Sequence, residues 1–277
     1  MTFNELDKCF NRSVAFAFSR VKLLITFLSL VLCGILIVFC RGLAFTTGDW
    51  IAMSLVFLPI FLSSGVLLSL GVFLIRIYHH EARNIKWNYL KILGSSWQII
   101  IGTSYLALPP LLVYLLLWIV LGIFVLLQEI PAIGQSVGVI LAFAPFLLIL
   151  SSLLLCIVNL LLLFFVSPVI ALRPAARLHM ARGLLEGLQK NVFSKMVFFF
   201  CALFPLALVV GLLSLAAKLA GGSFLDGRHS LSVTLQWFFI MLPFCAILAP
   251  GVVFFFNFAA ESYNLFQKAL PQPEEEK

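Results

Sequence analysis

The chain has 277 residues, of which 63% are apolar and only 10% are charged. A soluble globular domain carries about 25% charged residues, and so few charges could not cover a water-facing surface of this size. The composition therefore excludes a soluble enzyme, a disulfide-rich secreted scaffold and a disordered chain. It predicts an all-α polytopic membrane protein.

Apolar runs long enough to cross a bilayer occur six times. A helix needs about 20 apolar residues to cross ~30 Å of hydrocarbon. The predicted spans are residues 23–40, 50–75, 98–127, 137–172, 196–220 and 233–260. They divide the chain into a cytoplasmic amphipathic segment (1–22), a six-span membrane domain (23–260) and a cytoplasmic tail (261–277). The fourth span is too long to cross straight, so we expect it to tilt, break at Pro145 or Pro168, or continue into the headgroups.

The basic residues indicate the orientation of these spans. Of the 18 Lys and Arg residues, 15 lie in the N-terminal segment, the second and fourth connections and the tail, and 3 lie on the other side. Short loops rich in Lys and Arg stay in the cytoplasm. We therefore expect a multi-pass protein of the cell (inner) membrane with both termini cytoplasmic. The net charge of +7 then reflects topology and lipid headgroups, so no nucleic-acid partner is expected.

The spans group into three predicted hairpins. The cytoplasmic segments before the odd spans have helical apolar spacing, with basic residues on the other face, which is typical of helices lying in the membrane interface. The predicted fold is thus six transmembrane helices in three hairpins, with cytoplasmic interfacial amphipathic helices. The hairpins are unequally spaced, so a threefold repeat is suggested and not established.

The largest basic excess lies between the fourth and fifth spans. Residues 173–195 contain a single acid, Glu186, and five cations: Arg173, Arg177, Arg182, Lys190 and Lys195. Each cation near an anionic leaflet contributes ~1 kcal/mol. These five are the predicted contacts for anionic lipid headgroups or for a protein partner. The alternative is that the segment only anchors spans four and five in register.

Part of the chain resembles a known family. The residues that carry the resemblance are Phe165-Val166-Ser167-Pro168-Val169-Ile170-Ala171-Leu172, Pro174-Ala175-Ala176, Leu184–Gln189 and Phe193. This stretch resembles the bacterial membrane domain found beside glycerophosphodiester phosphodiesterases, and its uncharacterised stand-alone relatives. Those domains also place a short basic amphipathic segment before a new span. The resemblance covers residues 140–215, and the phosphodiesterase barrel is absent, so no catalytic residue carries over.

Deep polar residues are few. All eleven acids are expected to lie outside the spans, which argues against a proton- or sodium-coupled transporter because intramembrane charges mark ion pathways. Asn159 and Asn257 are the notable polar residues within spans, and we expect them to hydrogen-bond across helices. The adjacent His79 and His80 would point about 100° apart on a helix, so they do not converge on a metal ion.

One catalytic pattern occurs and lacks its context. Gly134-Gln135-Ser136-Val137-Gly138 matches G-x-S-x-G, but the hydrolase elbow requires a strand before the serine, and here a membrane span precedes it. An intramembrane protease of the rhomboid type needs a histidine in the sixth span, and residues 233–260 contain none. Asp226 and His229, expected on the same outer side as Ser136, could complete a Ser-His-Asp triad only in a non-standard arrangement. We therefore predict no catalytic, cofactor-binding or metal site, and no cofactor.

These observations favour a non-enzymatic membrane scaffold or accessory subunit. The alternative is a permease or lipid-handling transporter, with proline-kinked spans around a mostly apolar cavity. An intramembrane serine hydrolase is the remote alternative. A central cavity reached by Asn159 and Asn257 would favour transport, and tight packing would favour the scaffold.

Overall fold

A computed structural model of the chain describes residues 3–44, 47, 49–83, 89–128, 143–172, 192–221 and 230–268. The regular elements in these ranges are helical, which confirms the all-α class for this part of the chain. The α-helices are α1 (Phe3–Ala15), α2 (Arg20–Ala44), α3 (Asp49–Ala82), α4 (Tyr89–Ser104), α5 (Leu108–Gln128), α6 (Ala144–Leu172), α7 (Val192–Gly221) and α8 (Ser230–Lys268). A 3-10 turn, Tyr105–Ala107, joins α4 to α5.

Within the described ranges, six helical stretches are long and apolar enough to cross a membrane. They are Arg20–Ala44, Ser54–Ala82, Trp97–Val120, Phe146–Leu172, Phe193–Leu219 and Thr234–Gln267. Each overlaps one predicted span, so the polytopic membrane class is confirmed by length and composition. Several helices continue beyond the predicted bounds. As a result Glu81 and Glu261 lie in the last two turns of long apolar helices that continue past the predicted spans.

Prolines interrupt the third span. The 3-10 turn Tyr105–Ala107 comes immediately before α5, whose second and third residues are Pro109 and Pro110. Proline lacks the N–H that would continue the α-helical hydrogen bonds, which explains a break at this position. The fourth span is less disturbed, because Pro145 lies in the first turn of α6 and the helix continues through Pro168. Residues 137–142 of that predicted span lie outside the described residues.

Helices α3 and α8 form the centre of the bundle. α3 contacts α2, α4, α5, α6 and α8, and 61% of its apolar stretch is buried, against 17–33% for the other five. α8 contacts α1, α2, α3, α6 and α7. Aromatic rings fill the space between helices: the Phe164 ring lies 5.5 Å from that of Phe199 and 5.6 Å from that of Phe255. Aromatic contacts at these distances, edge-to-face for Phe164 and Phe199, add to the stabilisation from burial.

Contacts between helix ends define one end of the bundle. They are Lys22–Glu81, Tyr78–Glu261, Arg76–Ala171 and Lys195–Phe266. The beginnings of α2 and α7 and the ends of α3, α6 and α8 therefore meet, and we call this the charged end. At the opposite end Arg41 lies over the Trp237 ring at 4.0 Å. The grouping into three hairpins stays a prediction.

Candidate functional site at the charged end

Four helices contribute to a polar cluster at the charged end. Its members are Arg12 of α1, Lys22 of α2, Tyr78 and Glu81 of α3, and Asn257 and Glu261 of α8. Tyr78, Lys22, Asn257 and Glu261 are buried. This polar cluster contains two ion pairs and a hydrogen bond between a tyrosine and a carboxylate, and we take it as the candidate site.

Glu261 joins three helices. Its carboxylate lies 3.2 Å from the Arg12 guanidinium and accepts a hydrogen bond from the Tyr78 hydroxyl. The Glu261 side chain is only 10% exposed, whereas that of Arg12 is 49% exposed. Arg12 also donates to the carbonyl of Ala82 at 3.4 Å, so it contacts the ends of both α3 and α8. Arg12 therefore connects α1 to the two central helices.

Lys22 forms the second ion pair, entirely within the protein. Its side chain is fully buried, and its ammonium pairs with the carboxylate of Glu81. The ammonium also donates to the carbonyl of Phe16 at 3.3 Å and lies 5.8 and 5.4 Å from the ring centroids of Phe16 and Tyr78. Cation–π contacts of this kind strengthen when desolvated. Carboxylate, carbonyl and two aromatic faces together surround this charge.

Pairing explains why these acids lie within apolar helices. An isolated carboxylate in a low-dielectric region costs several kcal/mol, and a partner charge with good hydrogen bonds offsets that cost. A hydropathy profile predicts that such a residue lies outside the membrane, because the profile takes no account of a partner in another helix. One signal was available: Tyr78 and Glu81 are three residues apart and Asn257 and Glu261 four apart, so each pair shares a helix face.

Helix α1 packs directly on α8. The Asn257 amide donates to the carbonyl of Ser13 at 3.4 Å, and the Phe10 and Phe254 rings lie 5.2 Å apart. Cys9 of α1 is buried in this contact region. The prediction that Asn257 hydrogen-bonds across helices is met by the backbone of the N-terminal helix. The sequence indicates helical apolar spacing in this segment, but nothing in that spacing identifies α8 as the helix on which it docks.

Neutralising Arg12 should loosen α1. We expect Arg12→Gln to raise the rate of maleimide labelling at Cys9 about tenfold, because losing a hydrogen bond to a charged group costs ~1.5 kcal/mol or more. Peptide mass spectrometry of the labelled full chain measures the rate at Cys9 separately from the other cysteines. Lys8→Gln removes an exposed charge from the same helix and is the matched control. Equal labelling in the two variants would show that Arg12 does not hold α1.

The other predicted site residues are not brought together with this cluster. Asn159 is buried in α6, and its side-chain oxygen has no hydrogen-bond partner among the described residues. Lys195 lies in the first turn of α7, with its ammonium 5.7 Å from the Phe266 ring centroid. The remaining predicted lipid contacts lie outside the described residues: Arg173, Arg177, Arg182 and Lys190. The same holds for Ser136, Asp226 and His229.

The two adjacent histidines lie near the end of α3. Their ring centroids are 6.4 Å apart with an interplanar angle of 80°, and Nδ1 of His80 lies 2.8 Å from the carbonyl oxygen of Arg76. In the ranges that the structure describes, no group of three or more His, Cys, Asp or Glu side chains could hold a metal ion.

The six apolar helices and their buried ion pairs are those of a helical integral membrane protein. Comparison with known proteins adds no family: no family model, no curated protein and no solved structure matches the chain. The resemblance of residues 140–215 to the membrane domain beside phosphodiesterases stays a prediction.

Proposed function

We propose that the protein is a non-enzymatic scaffold or accessory subunit of the cell (inner) membrane whose charged end faces the cytoplasm and binds anionic lipid headgroups. One observation carries the proposal. The basic segment 173–195 begins directly after Leu172, the last residue of α6, and ends in the first turn of α7, and both of these helix ends lie at the charged end. Four of its five predicted contacts thus lie, in sequence, between the end of α6 and the beginning of α7, and both of these helix ends belong to the charged end.

The polar cluster supports the scaffold proposal because its charged side chains stabilise the packing of helices. Lys22, Glu81 and Glu261 pair with partners on neighbouring helices. Their contacts stabilise the meeting point of α1, α2, α3 and α8. A framework held in this way suits a protein that presents a surface to lipid or to a partner in the membrane.

The proposed orientation is testable by reporter fusions. Because short segments rich in Lys and Arg stay in the cytoplasm, we expect reporters fused after Trp87, Arg182 and Lys277 to be cytoplasmic. Reporters fused after Asp49, Ser136 and Ser230 should be external. An alkaline phosphatase and a fluorescent protein, active on opposite sides, check each position twice. A reversed pattern would contradict the proposal.

Removing the basic charge should reduce lipid selectivity. We expect the full chain with Arg173, Arg177, Arg182 and Lys190 changed to Gln to lose most of its preference for anionic lipid, at ~1 kcal/mol per cation. The measurement compares spin-labelled anionic and zwitterionic phospholipids at the protein surface in reconstituted membranes, at low and high salt. High salt should reduce the wild-type preference in the same way because it screens exposed charges.

A matched variant tests the location of this effect. Changing Lys8, Arg83, Lys86 and Lys91 to Gln removes the same charge from the other basic segments. We expect a smaller loss of selectivity from this control. Equal losses would mean that net charge alone matters, and an unchanged preference in both variants would leave segment 173–195 as an anchor between spans.

A permease is the second candidate, favoured by unpartnered polar groups in α6. Ser152 and Asn159 are seven residues apart on one helix face, both are buried, and neither Oγ of Ser152 nor Oδ1 of Asn159 has a hydrogen-bond partner within the described ranges. Buried polar atoms normally find a partner or an ordered water. Uptake assays on proteoliposomes, comparing wild type with Asn159→Leu, distinguish a transport pathway from a packing role.

A further inference from the structure

An apolar groove lies on the surface between α2 and α8. Its volume is about 360 Å³, within the range of small-molecule sites. Arg20, Leu23, Leu24 and Phe27 line it from α2, and two alanines and a proline of α8 line the other side. The short side chains of Ala246 and Ala249 leave room beside the longer α2 side chains. Because Leu24 is 67% exposed, the groove opens to the surroundings of the bundle.

One charge at the groove differs from its neighbours. Arg12 pairs with Glu261 and Lys22 pairs with Glu81. Arg20, which lies between them in sequence, is exposed and has no carboxylate within ion-pair distance in the described part of the chain. The groove therefore combines an apolar lining with one guanidinium that no carboxylate of the described residues pairs with.

The charged and apolar parts of the groove lie at different positions along α2. Arg20 is the first residue of α2, and Phe27 lies seven residues further, about 10 Å along the helix at ~1.5 Å per residue. Between them Leu23 and Leu24 contribute apolar surface. A ligand that fits would have an anionic group at one end and a hydrocarbon chain extending from it toward the middle of the span.

We propose that this groove binds one anionic phospholipid of the cytoplasmic leaflet, with its phosphate against Arg20 and one acyl chain along α2 and α8. Guanidinium is well suited to phosphate because its donors can engage two oxygens at once. The groove lies within the segment that crosses the membrane, so an acyl chain reaches it directly from the bilayer. The proposal rests on the proposed orientation, and it concerns a site separate from segment 173–195.

Native mass spectrometry of the full chain tests the proposal. The probes are phosphatidylglycerol and phosphatidylcholine with identical acyl chains, added to protein purified in mild detergent. We expect one phosphatidylglycerol to be retained preferentially by the wild type. Arg20→Gln should lower its apparent affinity about fivefold, the equivalent of ~1 kcal/mol for one cation. Arg20→Lys keeps the charge and should retain most of the affinity.

Matched variants separate this site from general effects. Arg83→Gln removes an exposed arginine that directly follows α3 and should leave retention unchanged. Ala246→Leu fills the groove and should reduce binding of both lipids, whereas Ala207→Leu makes the same change on the exposed side of α7 and should not. Equal retention of the two lipids by the wild type would overturn the proposal. So would identical behaviour of Arg20→Gln and Arg83→Gln, or of the two leucine variants.

The outcome is independent of segment 173–195. If the lipid selectivity of the protein survives neutralisation of that segment but one phosphatidylglycerol is still lost on Arg20→Gln, the proposed function fails and the groove stands. If Arg20→Gln has no effect while the segment variant loses selectivity, the groove proposal fails alone.

Discussion

Replacing Lys22 by methionine is expected to lower the free energy of unfolding by about 3–5 kcal/mol, because it leaves the carboxylate of Glu81 in a mostly buried position without its cation. Methionine keeps much of the apolar length of the side chain, so the change removes chiefly the charge. It also removes the donor to the Phe16 carbonyl and the contacts with two aromatic rings. Reversible denaturation in mixed detergent micelles measures the loss.

A double variant isolates the ion pair. In Lys22→Met/Glu81→Gln neither charge remains, and we expect it to recover a large part of the lost stability, since neutralising both members of a buried pair is often nearly neutral. Lys218→Met removes an exposed lysine from α7 and should change stability by less than about 0.5 kcal/mol. A Lys22→Met protein as stable as this control would show that the pair contributes nothing.

The six spans could be predicted because hydropathy is a property of consecutive residues. Each predicted span overlaps one observed apolar helix. The bounds could not be predicted to the same accuracy, since a charged residue beside an apolar run indicates the end of a span. α3 continues past Arg76 to Ala82, and Arg76 donates to the carbonyl of Ala171 at 3.1 Å. Its partner is a backbone group of α6, which no local pattern along α3 identifies.

The candidate site could be predicted only in part, for the same physical reason. Asn257 stands out as a polar residue in an apolar run, but its contact with the carbonyl of Ser13 joins positions 244 residues apart. The sequence places Lys22 before the first span, whereas the structure buries it fully in α2. Such pairings depend on how helices pack, so the sequence indicates which residues need partners and leaves the partners open.

The close approach of α3 and α8 depends on Gly71, so a larger side chain at this position should destabilise the protein. A Cβ built at Gly71 would lie 2.2 Å from Cε1 and 2.7 Å from Cζ of Phe256. The Phe256 ring is buried and packs edge-to-face on Phe255 at 5.4 Å, so it has little room to move. Small residues at helix contacts in membranes permit this short separation. We expect Gly71→Ala to destabilise the protein by about 1–3 kcal/mol through overpacking.

A glycine-to-alanine substitution at an uncrowded position should instead increase the stability of the protein. A Cβ at Gly211 in α7 would meet nothing within 4 Å, so Gly211→Ala should stabilise by up to ~1 kcal/mol through helix propensity. Thermal unfolding of the two variants in the same detergent gives the comparison. Combining Gly71→Ala with Phe256→Leu should restore stability beyond the sum of the single effects, because the smaller side chain vacates the space that the new methyl group enters. Additive losses in that double variant would mean that the cost at Gly71 arises away from Phe256, and the close contact between the two central helices would then not depend on this glycine.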